Sequence, residues 1–404
     1  MIKILLLTFL VTVLNGAPQL ISLNRFSSVA TSVVKGVENG ARLYLASADD
    51  NSVLRNINIT SGAGSITLDK LNDYHDDGTP KYFVLIGDLW VTTSNNDTTM
   101  AAVTGNIYIT SKTQADDPNF SVYVIKDQHY ISTNAMKSTV VVLNTWQSKA
   151  GNSAAPTKTS YVTGMNQSPN TNIYFQWGIP SADWYADTNV TFFRNPVVLT
   201  NENLTEQVFF DYVEPLQIGL DSWYFLVMGP NSMKIEKKYV NTATYATTAV
   251  KTTGLVMNNG IYQDHVVNFM PDTTRGGKCG GYFSSCGKTR GVGVYMQSGH
   301  GSVSSTGNYS NEDHFMFYTY DQANQLTVNT TTNTPGTFFV QYFTFPGLPK
   351  SDTTAQTTMM TQTLPSSTYA GGVSTTTVGT STKRSESVLG VWWLIMVMMV
   401  VRLI

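Results

Sequence analysis

Cys279 and Cys286 are the two cysteines of the 404-residue chain, and they lie seven residues apart in a glycine-rich stretch. An even number of cysteines in a secreted chain predicts a disulfide, and the N-terminus described below indicates secretion. The neighbouring glycines would let so short a loop turn back on itself. We therefore expect a Cys279–Cys286 disulfide. We expect no metal here, because two ligands at this spacing lack partners and the nearest histidines are His265 and His300.

The residue types used by common catalysts occur without the spacing that catalysis needs. None of the five histidines forms the HExxH pattern, and no Gly-X-Ser-X-Gly elbow is present. Gly287-Lys288-Thr289 matches the end of a phosphate-binding loop, but Tyr282 stands where that motif requires glycine. We therefore expect that the chain is not an enzyme and binds no cofactor. The alternative is a secreted hydrolase whose site is assembled from distant residues, such as carboxylate pairs that a sequence cannot place in space.

Acidic side chains are concentrated around His75, at Asp73, Asp76 and Asp77. Oxygen-rich loops bind Ca²⁺, but the spacing of a calcium-binding EF-hand loop is absent. We expect a solvated acidic turn and no metal, with calcium binding as the alternative.

Aromatic residues suggest where a ligand could bind. Trp177, Trp223 and Tyr224 lie in apolar runs and are expected in the core. Trp184 and Tyr185 lie in a polar loop instead. A flat aromatic face with a polar rim suits the recognition of sugars or protein partners. We therefore expect Trp184 and Tyr185 to be the candidate ligand-contact aromatics.

The chain has several Asn-X-Ser/Thr acceptors for N-linked glycans, which mark surface positions in a secreted protein. Pro169 follows the acceptor at Asn166 and weakens it. The acceptors expected to carry sugar are Asn58, Asn96, Asn119, Asn189, Asn203, Asn308 and Asn329.

Both ends of the chain resemble processing signals. Residues 1–16 combine Lys3, an apolar run and small residues, the pattern of a signal peptide. Residues 348–387 are rich in Ser and Thr and predict a disordered, O-glycosylated stalk. Residues 388–404 form a short apolar tail after a polar spacer, as in a GPI-attachment signal. A single-pass transmembrane helix is the alternative, and a secreted form is the third possibility.

The region between these ends is predicted to be all-β. Short apolar or alternating runs recur between turn residues, and we find no capped amphipathic helix. We expect two or three antiparallel β-sandwich domains of jelly-roll type. The expected boundaries are 17–127 for the first sandwich and 128–347 for a second β-rich region with one or two subdomains. Only 13% of residues are charged and the net charge is −2, so nucleic acid is not an expected partner.

Two stretches resemble the strands of CUB domains. They are Phe210-Asp211-Tyr212-Val213-Glu214, and Asn324–Val328 followed by Gly336–Tyr342. Together with the layout of signal peptide, glycosylated β-domains, stalk and GPI-like tail, they resemble the CUB-like secreted or GPI-anchored proteins of nematodes. The resemblance implies a jelly-roll-like sandwich and a role in the response to pathogens or stress. The two cysteines depart from it, because CUB domains carry one or two disulfides each.

These features predict an extracellular, cell-surface-anchored glycoprotein that acts as a binding or recognition module. The expected partners are cell-surface or matrix proteins or microbial glycans, with membrane attachment through the C-terminus. A structural surface-coat protein, whose function lies in its glycans and stalk, is a further alternative to the hydrolase.

Overall fold

The computed structural model confirms the all-β, sandwich-like prediction, with strands in several mostly antiparallel sheets. The residues that it describes are 16–26, 30–145, 158–181, 190–201, 204–240, 244–247, 251–259, 265–269, 279–289, 292–298, 301–305, 315–321, 323–330, 336–345 and 362–363.

The first half of the described chain contains fourteen strands. They are β1 (Gln19–Ser22), β2 (Ser32–Val34), β3 (Arg42–Ala46), β4 (Ile57–Ser61), β5 (Gly64–Thr67), β6 (Tyr82–Val84), β7 (Leu89–Thr93), β8 (Asn106–Ile109), β9 (Phe120–Ile125), β10 (Gln128–Thr133), β11 (Ser138–Asn144), β12 (Ser160–Gln167), β13 (Asn172–Trp177) and β14 (Thr191–Asn195).

The strands continue through the second half. They are β15 (Val197–Asn201), β16 (Leu204–Val208), β17 (Tyr212–Val213), β18 (Leu216–Ile218), β19 (Ser222–Met228), β20 (Asn231–Glu236), β21 (Thr244–Thr247), β22 (Thr252–Asn259), β23 (His265–Phe269), β24 (Cys279–Thr289), β25 (Val292–Ser298), β26 (Gly301–Ser305), β27 (Phe315–Asp321), β28 (Ala323–Thr330), β29 (Gly336–Phe345) and β30 (Gln362–Thr363).

Short helices connect some of the strands, although the sequence pattern had indicated none. They are α1 (Asn51–Leu54), α2 (Asp97–Ala102), α3 (Lys112–Asp116) and the 3₁₀ turns Leu23–Arg25 and Leu68–Leu71. Asp50, Asn96 and Ser111 cap the three α-helices by accepting hydrogen bonds from backbone N–H groups. Ser111 and Gln114 form a reciprocal capping box around α3. These local caps stabilise helices too short to show a periodic apolar stripe.

The first sandwich packs sheet A (order β1-β8-β3-β6) against sheet B (order β2-β7-β4-β5). The strands alternate as expected for half-buried β-structure. Along β4, Ile57 and Ile59 are buried, whereas Asn58 and Thr60 point the other way and are partly exposed. Leu43, from β3, lies in the same buried cluster as these isoleucines. Alternating positions therefore define a core face and an opposite outer face of sheet B.

The second sandwich packs sheet C (order β14-β13-β19-β11-β9) against sheet D (order β10-β20-β12-β18). Its core is aromatic, with the Phe175 ring centroid 5.0 Å from Trp223 and 5.6 Å from Phe225. β9 and β11 pair in parallel. Every residue of β11 is buried, which indicates that sheet C is covered on both faces.

Sheet A covers the second face of sheet C. Tyr44 and Tyr108 of sheet A form one buried cluster with Val141 and Tyr224 of sheet C and their neighbours. The Tyr108 hydroxyl donates to Gln114 Oε1 at 3.0 Å, so this buried polar atom has a partner. The described layers therefore stack in the order B, A, C and D.

A further β-region joins the second sandwich through sheet E (order β17-β22-β29-β24-β27-β30) and is continued by sheet F (order β21-β23-β28-β25-β26). Phe339 stacks on Phe192 with ring centroids 4.7 Å apart. The Gln341 amide accepts from Arg194 N–H at 3.0 Å and donates to Arg194 C=O at 2.8 Å. This side chain therefore bonds to the edge strand β14 as a neighbouring strand would.

Residues 1–15 and all of 388–404 lie outside the described residues, and so does the predicted stalk except for Gln362–Thr363 in β30. Within the residues that are described, helices long and apolar enough to cross a membrane were not found.

Gly105 provides a test of the packing in the first sandwich. Its φ is +103°, and an added Cβ would lie 2.3 Å from the Ala46 carbonyl oxygen. Gly64 also has a positive φ, +127°, but has open space around it. We expect Gly64→Ala to lower the free energy of unfolding by about 1–2 kcal/mol through backbone strain alone. Gly105→Ala should lower it by at least about 3 kcal/mol, because the clash adds to that strain.

Urea denaturation of both variants measures this difference. Equal losses of unfolding free energy for the two variants would show that the backbone around Gly105 does not approach β3 closely.

Candidate recognition surface

The aromatic pair predicted to contact a ligand, Trp184 and Tyr185, lies outside the described residues. Trp177 and Trp223 lie in or against the core of the second sandwich, as expected. The role of Trp184 and Tyr185 stays a prediction. Among the described residues, the exposed Tyr82 is another candidate ligand-contact aromatic.

Cys279 and Cys286 both lie in β24, with one continuous register against β29 from Cys279 to Cys286. Seven residues of extended strand span about 23 Å. A disulfide requires Cα atoms less than about 7 Å apart. The bridge stays a prediction, and forming it would require this segment to leave the extended conformation.

Among the predicted glycan acceptors, Asn96 and Asn119 are exposed and Asn58 is half-buried on the outer face of sheet B. Asn329 lies in β28. Asn189, Asn203 and Asn308 fall outside the described part of the chain. Occupancy at each acceptor stays a prediction.

An exposed apolar strip runs along the edge of sheet A. It consists of Tyr82 and Val84 of β6 and Ile86 just beyond it, whose exposed fractions are 39%, 45% and 46%. We call these three residues the β6 strip. Phe83, which alternates with them, packs on the core of the first sandwich. The side chains of the strip therefore face solvent, while Phe83 on the opposite side of the same strand holds it against the core.

The main chain of the β6 strip has an open side at Tyr82 and Val84. Leu85 exchanges hydrogen bonds with the β3 side, donating to Ala41 and accepting from Gly40, both at 2.8 Å. By the alternation of antiparallel pairs, Tyr82 and Val84 direct their N–H and C=O groups away from β3. β6 is the last strand of sheet A in the described residues. An extended segment could therefore add to this edge.

Charged and aromatic side chains border the strip. The Arg42 guanidinium carbon lies 4.7 Å from the Tyr82 ring centroid. Tyr44 lies 5.6 Å from Tyr82 between ring centroids, and His75 lies 6.3 Å from it edge-on. Because Tyr44 also belongs to the cluster between sheets A and C, the strip begins where that interface ends. An apolar surface with a polar border is typical of a protein-recognition site.

The acidic loop, residues 72–81, positions His75 and joins the two sandwiches. The Tyr74 hydroxyl donates to a main-chain carbonyl of β9, and its ring lies 5.3 Å from the His129 ring. The Lys126 ammonium donates to Asn72 Oδ1 at 2.6 Å and lies 5.5 Å from the Tyr74 ring centroid. The sequence predicted a solvated turn. The structure shows that the loop is also held by contacts on the second sandwich.

Carboxylates of the acidic loop are engaged within the loop itself. Asp73 pairs with Lys81 at 2.8 Å, and this hydrogen bond lowers the pKa of Asp73. Asp77 accepts from the Thr79 hydroxyl at 2.6 Å and from the Thr79 N–H at 2.9 Å, and these bonds lower the pKa of Asp77. No group of three or more potential metal ligands occurs among the described residues.

Burial changes the proton affinity of the groups under the loop. It lowers the pKa of Lys126 to about 8 and raises the pKa of Tyr74 to about 12. The pKa of His129 is lowered for the same reason. Partial burial of these three groups indicates that the junction between the sandwiches is partly shielded from water.

Sequence reasoning missed the β6 strip. Tyr82 and Val84 occur in the run from Tyr82 to Thr93, one of the apolar or alternating runs that predict strands without showing which of them lie at an edge. The structure divides that run into β6 and β7, which belong to different sheets. Gly87, with a φ of +69°, marks the turn between them. It is the signal in the sequence that could have revealed the break.

Lys126 makes the junction sensitive to pH. Its folded pKa of about 8 lies below its unfolded value of 10.5. Between these values the unfolded chain binds more protons than the folded chain, so the contribution of Lys126 to stability rises with pH. We expect the unfolding free energy of wild type minus that of Lys126→Met to increase as pH rises through this range.

Urea denaturation across that pH range measures the effect, and parallel wild-type and Lys126→Met profiles would contradict it.

Burial of Tyr74 has the opposite effect on folding stability, which it lowers as pH rises, but only at higher pH. Its pKa rises from 10.0 to about 12, so its contribution is present below pH 10 and lost as pH approaches 12.

Comparison with known proteins gives a family for the chain. A family described as transmembrane glycoprotein matches residues 38–400. No curated protein matches the chain significantly. Among solved structures, the tail fiber protein gp63.1 of an E. coli phage is similar at 8% identity and a TM-score of 0.15. The match covers 57% of this chain and 39% of that chain, and at such a TM-score it carries no structural argument.

The family match overturns the resemblance to nematode CUB-like proteins, which was the basis for expecting a role in the response to pathogens or stress. That resemblance rested on short strand motifs near Tyr212 and Tyr342, and an apolar-aromatic strand pattern recurs in many β-sandwiches. The family match covers most of the chain and indicates a surface or membrane-associated glycoprotein. The chain belongs to the transmembrane glycoprotein family.

Proposed function

We propose that the chain is an extracellular, surface-anchored glycoprotein that recognises other surface or matrix proteins through the β6 strip and catalyses nothing. Membership of the transmembrane glycoprotein family supports surface display. The observation that carries the recognition site is the coincidence of three exposed apolar side chains with an open strand edge. Exposed apolar surface of this kind favours contact with a partner.

The open edge favours a protein partner over a glycan. Main-chain N–H and C=O groups of Tyr82 and Val84 would pair with an extended segment of the partner, while their side chains contact its apolar residues. Arg42, beside Tyr82, would favour a carboxylate on the partner near that end of the strip. Ile86 would not extend the pairing, because its carbonyl already accepts from Gly62 N–H at 2.8 Å.

Membrane attachment through residues 388–404 is part of this proposal. The family description supports attachment to a membrane without distinguishing a GPI anchor from a single-pass helix. We favour GPI attachment, because the basic residues Lys383 and Arg384 precede the apolar tail and only Arg402 lies near its end. A single-pass helix after a cleaved signal peptide would place its basic cluster after the span.

Substitutions in the β6 strip test the recognition site. Cells displaying the full-length chain would be assayed for adhesion to matrix-coated surfaces and to cell layers. We expect Tyr82→Ala with Val84→Lys to raise the coating density needed for half-maximal adhesion by about tenfold or more, because removing a central anchor costs about 2 kcal/mol or more. Tyr130→Ala is the matched control, since Tyr130 is an exposed tyrosine on β10, away from the strip.

Equal adhesion by the double variant and the control would refute the strip as the recognition site. Turnover of a hydrolase-substrate panel by the wild-type chain would refute the non-catalytic part of the proposal. Adhesion that does not saturate would favour a structural coat instead.

Treatment of the same cells with phosphatidylinositol-specific phospholipase C tests the anchor. We expect release of the chain into the medium, because a GPI anchor holds the protein through a lipid that this enzyme cleaves. Retention in the membrane fraction with an intact C-terminus would establish the single-pass form instead. Surface level before treatment serves as the control for expression.

A further inference from the structure

The outer face of sheet B carries an exposed apolar pair in the middle of polar side chains. The register places Val33, Trp90, Thr60 and Ser65 in one row across the four strands. Val33 is 44% exposed and Trp90 is 42% exposed. Leu89, adjacent to Trp90 in β7, is fully buried in the core, so Trp90 points outward by the alternation of the strand. We call this row, together with the next row containing Asn58, the outer face.

Asn58 lies in the second row of the outer face, diagonal to Trp90. Asn58 is opposite Thr92 and Thr60 is opposite Trp90 in the antiparallel pair of β4 and β7. Diagonal neighbours on one face lie about 7–8 Å apart, within reach of aromatic and long side chains. A group attached to Asn58 could therefore contact the Trp90 ring.

The strand also brings the acceptor triplet together. Asn58 and Thr60 point to the same side of β4, and Asn58 Nδ2 donates to Thr60 Oγ1 at 3.3 Å. The Thr60 and Ser65 hydroxyls lie 2.7 Å apart. These hydroxyls form the polar border beside Trp90. The amide that would carry sugar therefore lies on the same face as the exposed indole.

We propose that Asn58 carries an N-linked glycan whose first sugars lie across Trp90 and Val33 and cover the outer face. Attachment forms a bond between Asn58 Nδ2 and the anomeric carbon of a lipid-diphosphate-linked oligosaccharide. The bond between that carbon and the diphosphate oxygen breaks, the lipid diphosphate leaves with the bonding electron pair, and the proton lost by the amide passes to solvent. The proposal rests on the extracellular part of the proposed function, because this donor acts on chains entering the secretory route.

The chemistry of the face suits a sugar of this chain. The C–H face of a pyranose packs on an indole ring, and an N-acetyl methyl group would contact Val33. The Thr60 and Ser65 hydroxyls can hydrogen-bond to sugar hydroxyls along the rim. Attachment at Asn58 holds the glycan at the face, so contact does not require the association entropy that a free ligand would lose.

The exposed acceptors Asn96 and Asn119 give a contrast. Asn96 is the N-cap of α2, and its side chain accepts from Thr99 N–H at 2.8 Å. Asn119 follows α3 and lies just before β9. Neither residue lies on the outer face. Glycans at these sites should extend into solvent without protecting Trp90.

Two measurements on the full-length chain from a secretory host test the proposal. Glycopeptide mass spectrometry gives occupancy at Asn58, Asn96 and Asn119. Hydroxyl-radical footprinting, read by peptide mass spectrometry, gives the oxidation rate of Trp90. We expect Asn58 to be occupied, and the Trp90 oxidation rate to rise several-fold in Asn58→Gln but to stay unchanged in Asn119→Gln. Enzymatic removal of glycans from the folded wild-type chain should raise the Trp90 rate in the same way, without relying on a variant to fold.

The possible failures can be distinguished. Sugar at Asn119 with none at Asn58 overturns the proposal while leaving the extracellular route intact. Absence of sugar from all three acceptors contradicts the extracellular route itself. An equal oxidation rate of Trp90 with and without the Asn58 glycan also overturns the proposal. A high rate in both cases would show that the face is open, and a low rate in both would show that another molecule covers it.

Discussion

The burial of sheets A and C on both faces is the constraint on which the described architecture depends. A sheet has one face for its own sandwich, so the other must find cover or remain polar. Here the second faces of sheets A and C cover each other through Tyr44, Tyr108, Val141 and Tyr224. Tyrosines suit this contact because their rings exclude water while the hydroxyl can reach a partner. The two sandwiches are thereby held in one stack rather than linked loosely.

The same constraint determines where recognition can occur. Sheet A is buried along β8 and along β3 except at Arg42, but its edge strand β6 extends past the cover of sheet C and leaves Tyr82 and Val84 exposed. Sheet B, the outermost layer, has no second sheet against its outer face among the described residues, and that face carries Trp90 beside Asn58. Both candidate surfaces therefore lie where the layered stack ends.

The sequence supported the all-β architecture because strand alternation is local, as at Ile57, Asn58 and Ile59. The helix that begins with the capping box at Ser111 and Gln114 was missed, because its five residues are too few to show an apolar stripe. The tyrosine contacts between sheets were beyond reach, because Tyr44 and Tyr224 meet only through tertiary packing. The exposed Trp90 could not be distinguished from a core tryptophan without knowing which strands cover it. Short strand motifs misled the family assignment for a related reason, since they describe strands in general.

The bonds between Gln341 and Arg194 have a consequence for synthesis. The two residues are 147 positions apart in the chain. During translation, β14 therefore emerges well before the side chain that pairs with its edge. Until residue 341 has been made, the main chain of β14 offers a template for strands of neighbouring nascent chains. The main-chain groups of Arg194 in this edge therefore gain their partner only after another 147 residues have been added to the chain.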